Sequence, residues 1–118
     1  MHPELTSLQR IDQLDELLTE SGTQPLLLFK HSYSCGISAE ALDELVEHLN
    51  SDRAGSVRYA MVTVQTHRDV SNAVSAKLGI RHETPQALVI REGRVVWSAS
   101  HFRVTAKAVE AAVRAAAQ

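Results

Sequence analysis

The sequence has a single cysteine, Cys35, among its 118 residues. One thiol cannot form a disulfide within the chain, and the count excludes a zinc site made of four cysteines. Cys35 therefore acts alone, pairs with a thiol of another molecule, or has no chemical role.

Charge of one sign and long apolar runs are also lacking. The formal net charge is -2 at pH 7, and the Lys and Arg residues are spread along the chain. No basic face therefore predicts binding to nucleic acid. The sequence contains no run of roughly 18 apolar residues, and its start, MHPELTSLQR, lacks the features of a signal peptide. We expect a soluble cytoplasmic protein that binds neither nucleic acid nor a membrane.

The six histidines do not form a metal-binding pattern. They are scattered from His2 to His101, and none belongs to a His-x-x-x-His pair or lies at zinc-site spacing from a cysteine. We therefore predict no metal site and no permanently bound cofactor.

An apolar fraction of 44% in a chain of this length predicts one compact domain over residues 1–118. Residues 4–8 are a candidate extended segment. In chain order the periodicity and turn residues then predict a helix over 9–21 ended by Gly22, a buried strand over 26–29, a helix from Ser38, a strand over 57–64, a helix capped by Asp69 and ended by Gly79, a hairpin turning at Glu92-Gly93, and a helix capped by Thr105.

This order predicts an α/β fold. A strand-helix-strand unit, followed through a helix by a hairpin and a closing helix, forms a mixed sheet with helices on both faces. We therefore predict a thioredoxin-like fold with a mixed four-stranded central sheet flanked by helices on both faces.

In this fold Cys35 lies between the end of a buried strand and the start of a helix. The free N–H groups of the first helical turn, around Gly36, Ile37 and Ser38, and the helix dipole favour a thiolate over a thiol. Ser38 completes a Cys-x-x-Ser motif, in which the hydroxyl can bond the thiolate and help cap the helix. A hydroxyl cannot resolve a mixed disulfide, so the second thiol must come from another molecule.

Two further pairs of residues are site candidates. Lys30 and His31, just before Cys35, are candidates for adding positive charge that stabilises the thiolate. Thr84-Pro85 precedes the third strand, where a thioredoxin-like fold commonly has a cis peptide bond that faces the active cysteine and binds the substrate. We predict this role for Thr84 and Pro85.

The structural alternative is that Cys35 is a buried core residue, which is the common role of a lone cysteine. Its neighbours argue against this role, because Ser32, Ser34, Gly36 and Ser38 are small and mostly polar. Reactive thiols occur in such settings.

Four segments resemble the monothiol bacilliredoxins of the YtxJ type, also called bacillithiol system redox-active proteins: LLFKHSYSCGIS, HRDVSNAV, LGIRHETPQALVI, and GRVVWSASHF followed by VTA. The resemblance implies a thioredoxin-like oxidoreductase that removes bacillithiol, a cysteine-containing sugar thiol, from oxidised cytosolic proteins. On this reading Cys35 is the nucleophile, bacillithiol is the co-substrate, and a second thiol or a reductase restores the enzyme. The sequence departs from the family at Gly36, where members typically have proline.

Two alternatives remain open at this stage. Gly36 also brings the motif close to the Cys-Gly-Phe-Ser of monothiol glutaredoxins, which carry an iron-sulfur cluster, although the Gly-Gly-x-Asp-like turn that grips glutathione is replaced here by VVWSASHF. The other alternative is a thioredoxin-like binding module, in which Cys35 is incidental and the Thr84-Pro85 surface docks a partner.

Overall fold

The structure is a computed structural model that describes residues 2–51 and 56–117. Over this part of the chain the elements are β1 (Leu5–Ser7), α1 (Ile11–Glu20), β2 (Leu26–His31), α2 (Gly36–Leu49), β3 (Arg58–Thr63), α3 (Arg68–Leu78), β4 (Gln86–Arg91), β5 (Arg94–Ser100), a 3₁₀ helix (His101–Arg103) and α4 (Ala106–Ala117). The predicted order of helices and strands is confirmed. No helix within these residues is both long and apolar enough to span a membrane.

The strands form one mixed sheet in the order β1-β3-β2-β4-β5. Strands β1 and β2 run parallel to β3, whereas β4 is antiparallel to β2 and β5 is antiparallel to β4. The thioredoxin-like class is confirmed, but the described sheet has five strands and not the predicted four. The additional strand is β1, whose residue Leu5 pairs with Tyr59 at the sheet edge. Three residues are too few to show the alternation from which strands are predicted.

Both faces of the sheet are covered, which explains the continuous apolar run in β2. Leu27 and Phe29 pack in the cluster that includes α2 and α4. Leu26 and Leu28 pack in the cluster that includes α1 and α3. Successive side chains of a strand point to opposite faces, so the central strand serves two cores.

The predicted helix ends are confirmed in part. At the end of α3, Gly79 has φ +62° and the N–H of Ile80 donates to the carbonyl of Ser75 at 3.2 Å, as a Schellman ending requires. The role predicted for Gly22 is wrong, because Gly22 is not among the glycines with positive φ. Helix α1 instead ends with its cap residue Ser21 in a right-handed conformation.

Of the two N-cap residues predicted for α3 and α4, one is confirmed and one is wrong. Thr105 caps α4 as predicted, since its Oγ1 accepts a hydrogen bond from the N–H of Ala108 at 3.1 Å. Asp69 is not the cap of α3, because the helix begins at Arg68, two residues earlier than that cap implies, and His67 is the cap residue. Asp69 lies in the first turn instead, where its negative charge interacts favourably with the positive end of the helix dipole.

The hairpin between β4 and β5 turns at Glu92 and Gly93, which both have positive φ, 54° and 74°. Positive φ at both central residues is the geometry of a type I′ turn, so the predicted hairpin is confirmed. The pairing then shifts by one residue, because Val89 pairs with Trp97 while Ile90 pairs with Val95. The extra residue of this bulge lies on β5, and beyond it Ala99 packs against the core cluster.

Candidate active site

Cys35 is the cap residue of α2 and has extended backbone angles, φ −118° and ψ 121°. Its N–H donates to the carbonyl of Ser32 at 3.3 Å, and its carbonyl accepts the first helical hydrogen bond from Ala39 at 3.1 Å. The side chain is partly exposed. The predicted position at a strand-to-helix turn is therefore confirmed, and a core role for Cys35 is not what the structure shows.

The first turn of α2 consists of Gly36, Ile37 and Ser38, whose N–H groups have no carbonyl acceptor within the helix. These groups and the positive end of the helix dipole lie next to the cap residue, and they favour negative charge there. An ideal Cβ built on Gly36 would meet no atom within 4 Å. Gly36 is therefore not required by any close approach.

The hydroxyl of Ser38 does not bond the cysteine sulfur in the described structure. Ser38 is fully buried, its Oγ accepts the N–H of Ser32 at 2.9 Å, and the same atom lies 2.9 Å from Nδ1 of His31. Ser38 thus ties the end of β2 to the first turn of α2. These hydrogen bonds join residues on both sides of the loop that carries Cys35.

His31 does not provide the positive charge considered from the sequence. Burial lowers the pKa of the imidazole below its ordinary 6.5, so the ring is neutral at pH 7. The ring also stacks on Phe29, with the ring centroids 6.0 Å apart. His31 acts in this geometry as a hydrogen-bonding partner of Ser38.

Lys30 points to the other face of the sheet. Its Nζ lies 2.8 Å from Oγ of Ser75 on α3 and 3.0 Å from Nδ1 of His82, and its side chain is fully buried. Helix α2 and Cys35 belong to the opposite layer. The predicted partnership between Lys30 and the sulfur is therefore not formed, and burial lowers the pKa of Lys30 to about 8.

Gln65 is a site residue that the sequence reasoning missed. It follows the end of β3, and its Nε2 donates hydrogen bonds to the hydroxyls of Ser32 and Ser34, at 2.5 and 3.0 Å. These serines belong to the loop that leads into Cys35. A signal existed in the topology, because the carboxyl ends of the parallel strands β2 and β3 lie at one edge of the sheet.

Thr84-Pro85 is a cis peptide bond, as predicted. Gln86, the next residue, pairs with Lys30 near the carboxyl end of β2. Pro85 therefore lies at the same edge of the sheet as the loop that carries Cys35. Its carbonyl accepts a hydrogen bond from the N–H of His101 at 3.0 Å, which joins the cis-proline segment to the 3₁₀ helix.

A groove of about 370 Å³ opens beside this edge, between α2 and the 3₁₀ helix. Its apolar lining includes Ile37, two residues after the cysteine, and Phe102, which is 70% exposed. Tyr33, two residues before the cysteine, is 66% exposed. Two aromatic side chains thus remain open to solvent, Tyr33 in the loop before Cys35 and Phe102 on the wall of the groove that Ile37 also lines.

Within residues 2–51 and 56–117, no group of three or more His, Cys, Asp or Glu side chains is arranged to hold a metal ion. The Gly-Gly-x-Asp-like turn of the glutaredoxins is absent from the corresponding region, where β5 runs directly into the 3₁₀ helix.

A mixed sheet between two helical layers, with a cysteine at the start of a helix and a cis-proline at the same sheet edge, is the arrangement of a thioredoxin-like oxidoreductase. Solved structures agree with this class. A proposed oxidoreductase with a thioredoxin fold is 28% identical, with a TM-score of 0.81 and coverage of 92% of this chain and 93% of that chain.

Two thioredoxins show the same fold at lower identity. The protein from Malassezia sympodialis is 14% identical, with a TM-score of 0.75 over 97% of this chain and 91% of that one. A thioredoxin mutant from Halobacterium salinarum NRC-1 is 19% identical, with a TM-score of 0.71 over 100% of this chain and 96% of that one. The sequence profile of the monothiol bacilliredoxin BrxC family matches residues 6–109. The chain belongs to this family, and the resemblance described above is confirmed.

Proposed function

We propose that this protein removes bacillithiol from mixed disulfides on cytosolic proteins, with Cys35 as the nucleophile. The observation that carries the proposal is the position of the only cysteine. Cys35 is a partly exposed cap residue of α2, at the sheet edge that also carries the cis Thr84-Pro85 bond. Membership of the bacilliredoxin family supports bacillithiol as the small thiol.

The reaction has two exchange steps. The Cys35 thiolate attacks the bacillithiol sulfur of the mixed disulfide, the disulfide bond breaks, and the client cysteine leaves as a thiolate. A second small thiol, or a thiol of a reductase, then attacks the new disulfide on Cys35. That step releases an oxidised small-molecule or reductase disulfide and restores the Cys35 thiolate.

The surrounding residues have different tasks in this scheme. The first-turn N–H groups of Gly36, Ile37 and Ser38 stabilise the thiolate, while the hydrogen bond between Ser38 and His31 holds the loop in place. The backbone of Thr84 and Pro85 orients the disulfide opposite the sulfur. Ser38 has no thiol with which to form an internal disulfide, so the resolving thiol comes from another molecule.

Mass spectrometry tests the proposal directly. The reduced protein is incubated with a panel of oxidised small thiols, including bacillithiol and glutathione disulfides, and with a bacillithiolated peptide. The expected result is a bacillithiol adduct on Cys35 and a free peptide thiol, with no transfer by a Cys35→Ser variant. An adduct formed only with another thiol would refute bacillithiol as co-substrate, and no adduct with any thiol would refute exchange.

Two further measurements address the alternatives. The rate of Cys35 alkylation by iodoacetamide is measured against pH, and an alkylation profile like that of free cysteine would favour a binding module without catalysis. Anaerobic reconstitution with iron, sulfide and a small thiol is followed by visible absorption. A stable chromophore that depends on the thiol would favour a cluster carrier.

A further inference from the structure

Lys30 is a buried cation, and its hydrogen-bond partners among the described residues are neutral. Its side chain is fully buried on the same face of β2 as Leu26 and Leu28. Among the described residues no carboxylate pairs with it, and its Nζ bonds only the hydroxyl of Ser75 and Nδ1 of His82. Neutral partners repay only part of the desolvation of an ammonium group, and an apolar residue of similar length would be more stable there. Stability therefore does not account for a lysine at this position.

The segment that Lys30 contacts leads to the cis-proline. Residues 80–85 join α3 to β4 without helix or strand, and His82 lies two residues before Thr84-Pro85. Ser75 belongs to α3, one turn before the helix ends. The ammonium group of Lys30 thus links the rigid central strand to the connection that delivers Thr84 and Pro85.

A second side chain reinforces the same connection. Gln86 pairs with Lys30 across β2 and β4, so both side chains lie on the same face of the sheet. The Nε2 of Gln86, a residue only 2% exposed, donates to the carbonyl of Arg81 at 3.0 Å. Two opposite residues of the sheet therefore hold two successive residues of the connection, Arg81 and His82.

We infer that Lys30 is a positioning residue for disulfide exchange: by binding His82 from inside the fold, it fixes the segment whose Thr84-Pro85 backbone orients the substrate at Cys35. This inference rests on the proposed function. It assigns Lys30 to substrate positioning, and not to stabilisation of the thiolate.

The protonation states fit this role. An ammonium group has only donors, so Lys30 donates to Nδ1 of His82, and that ring is a neutral imidazole with its proton on Nε2. Burial, together with the positive charges of Lys30 and Arg68, lowers the pKa of His82, while Glu83 raises it. His82 thus remains an acceptor at neutral pH.

The test measures exchange and alkylation on the same variants. Lys30→Met keeps the length of the side chain and removes the ammonium group. We expect kcat/KM for a bacillithiolated cysteine peptide to fall about tenfold, the effect of losing a hydrogen bond to a charged group, mainly through a higher KM. The rate of Cys35 alkylation by iodoacetamide should stay within about twofold, because this small reagent does not use the Thr84-Pro85 backbone.

His82→Ala removes the other partner of the same bond. His82 is largely exposed, so the variant should fold. The loss in the double variant should match that of either single variant, since all three lack the same contact. Ser71→Ala is the control, because Ser71 is fully buried on α3 and its hydroxyl makes no hydrogen bond among the described residues. It should leave kcat/KM unchanged.

Amide hydrogen exchange gives a readout that does not depend on turnover. Residues 81–84 should exchange faster in Lys30→Met and His82→Ala than in the wild-type protein, while α2 should not change. If the wild-type protein turns over and Lys30→Met keeps its full kcat/KM, the inference is wrong and the proposed function stands. The inference would also be overturned if the losses of kcat/KM in the two single variants added up in the double variant. It would be overturned as well if the alkylation rate of Cys35 fell as much as kcat/KM for disulfide exchange. An inactive wild-type protein would overturn both.

Discussion

Replacing Lys30 with methionine should make the protein more stable at neutral pH. Burial lowers the pKa of Lys30 from the ordinary 10.5 to about 8. At 1.36 kcal/mol per pH unit, this difference corresponds to about 3 kcal/mol of destabilisation of the folded state whenever the lysine is protonated in both states. Losing the bonds to Ser75 and His82 offsets about 1 kcal/mol of the gain. We therefore expect Lys30→Met to raise the free energy of unfolding by about 2 kcal/mol at pH 7.

The sign of this effect depends on pH in a defined way. Below about pH 8 the lysine is charged in the folded and unfolded states, so the folded state carries the full desolvation penalty. Between about 8 and 10.5 the folded protein releases its proton while the unfolded chain keeps it, so wild-type stability rises with pH. The advantage of Lys30→Met should therefore shrink by about 3 kcal/mol over this window and change sign near its upper end.

Urea unfolding followed by circular dichroism checks both statements. The two proteins are compared at about pH 6, 7, 8, 9 and 10.5, and only the difference between them is interpreted, because the other titrating groups are common to both. Parallel stability curves across this range would refute the reasoning about the buried ammonium. A variant less stable than wild type at pH 7 would refute it as well.

Three further predictions concern the loop around Cys35 and the last helix. Gly36→Pro should stabilise the fold by up to about 1 kcal/mol in thermal unfolding, because proline suits the first helical position and Cys35 already has the extended backbone that a residue before proline requires. Gly36→Ala is the control, and a Gly36→Pro variant less stable than wild type would contradict this geometry. Ser38→Ala should cost about 1–3 kcal/mol in urea unfolding, because it leaves the buried N–H of Ser32 without its acceptor, and an unchanged midpoint would show that the bond contributes nothing. Thr105→Ala should cost about 1 kcal/mol by removing the cap of α4, with Thr105→Ser as the variant that restores it.

Much of the fold was predictable because its signals are local or periodic. β2 is buried on both faces, which gives a continuous apolar run in the sequence. Helix α2 is buried on one face, which gives an apolar stripe at helical spacing. The turn at Glu92-Gly93 and the ending at Gly79 follow from residues that tolerate positive φ. Residues 4–8 were predicted only as an extended segment, and their pairing as edge strand β1 did not follow from the sequence, because a three-residue strand is defined by its partner.

The site was predictable to a lesser extent. The place of Cys35 follows from the order of strand and helix, and the cis bond at Pro85 follows from the fold. The partner of the Ser38 hydroxyl did not follow from the sequence, because the direction of a side chain depends on what packs around it. The hydrogen bonds from Gln65 to Ser32 and Ser34 join residues more than thirty positions apart, and such contacts have no periodic pattern in the sequence.

The sequence by itself determined that the single thiol has no disulfide partner in the chain and that it lies at the start of a helix after a buried strand. Composition, spacing and the strand-to-helix order suffice for those conclusions, because they depend on near neighbours. Only the tertiary structure decided which way Lys30 and His31 point. Alternate residues of β2 face opposite layers, so the two cations expected beside the sulfur are separated by the sheet. One became a neutral partner of Ser38, and the other a buried cation bound to His82.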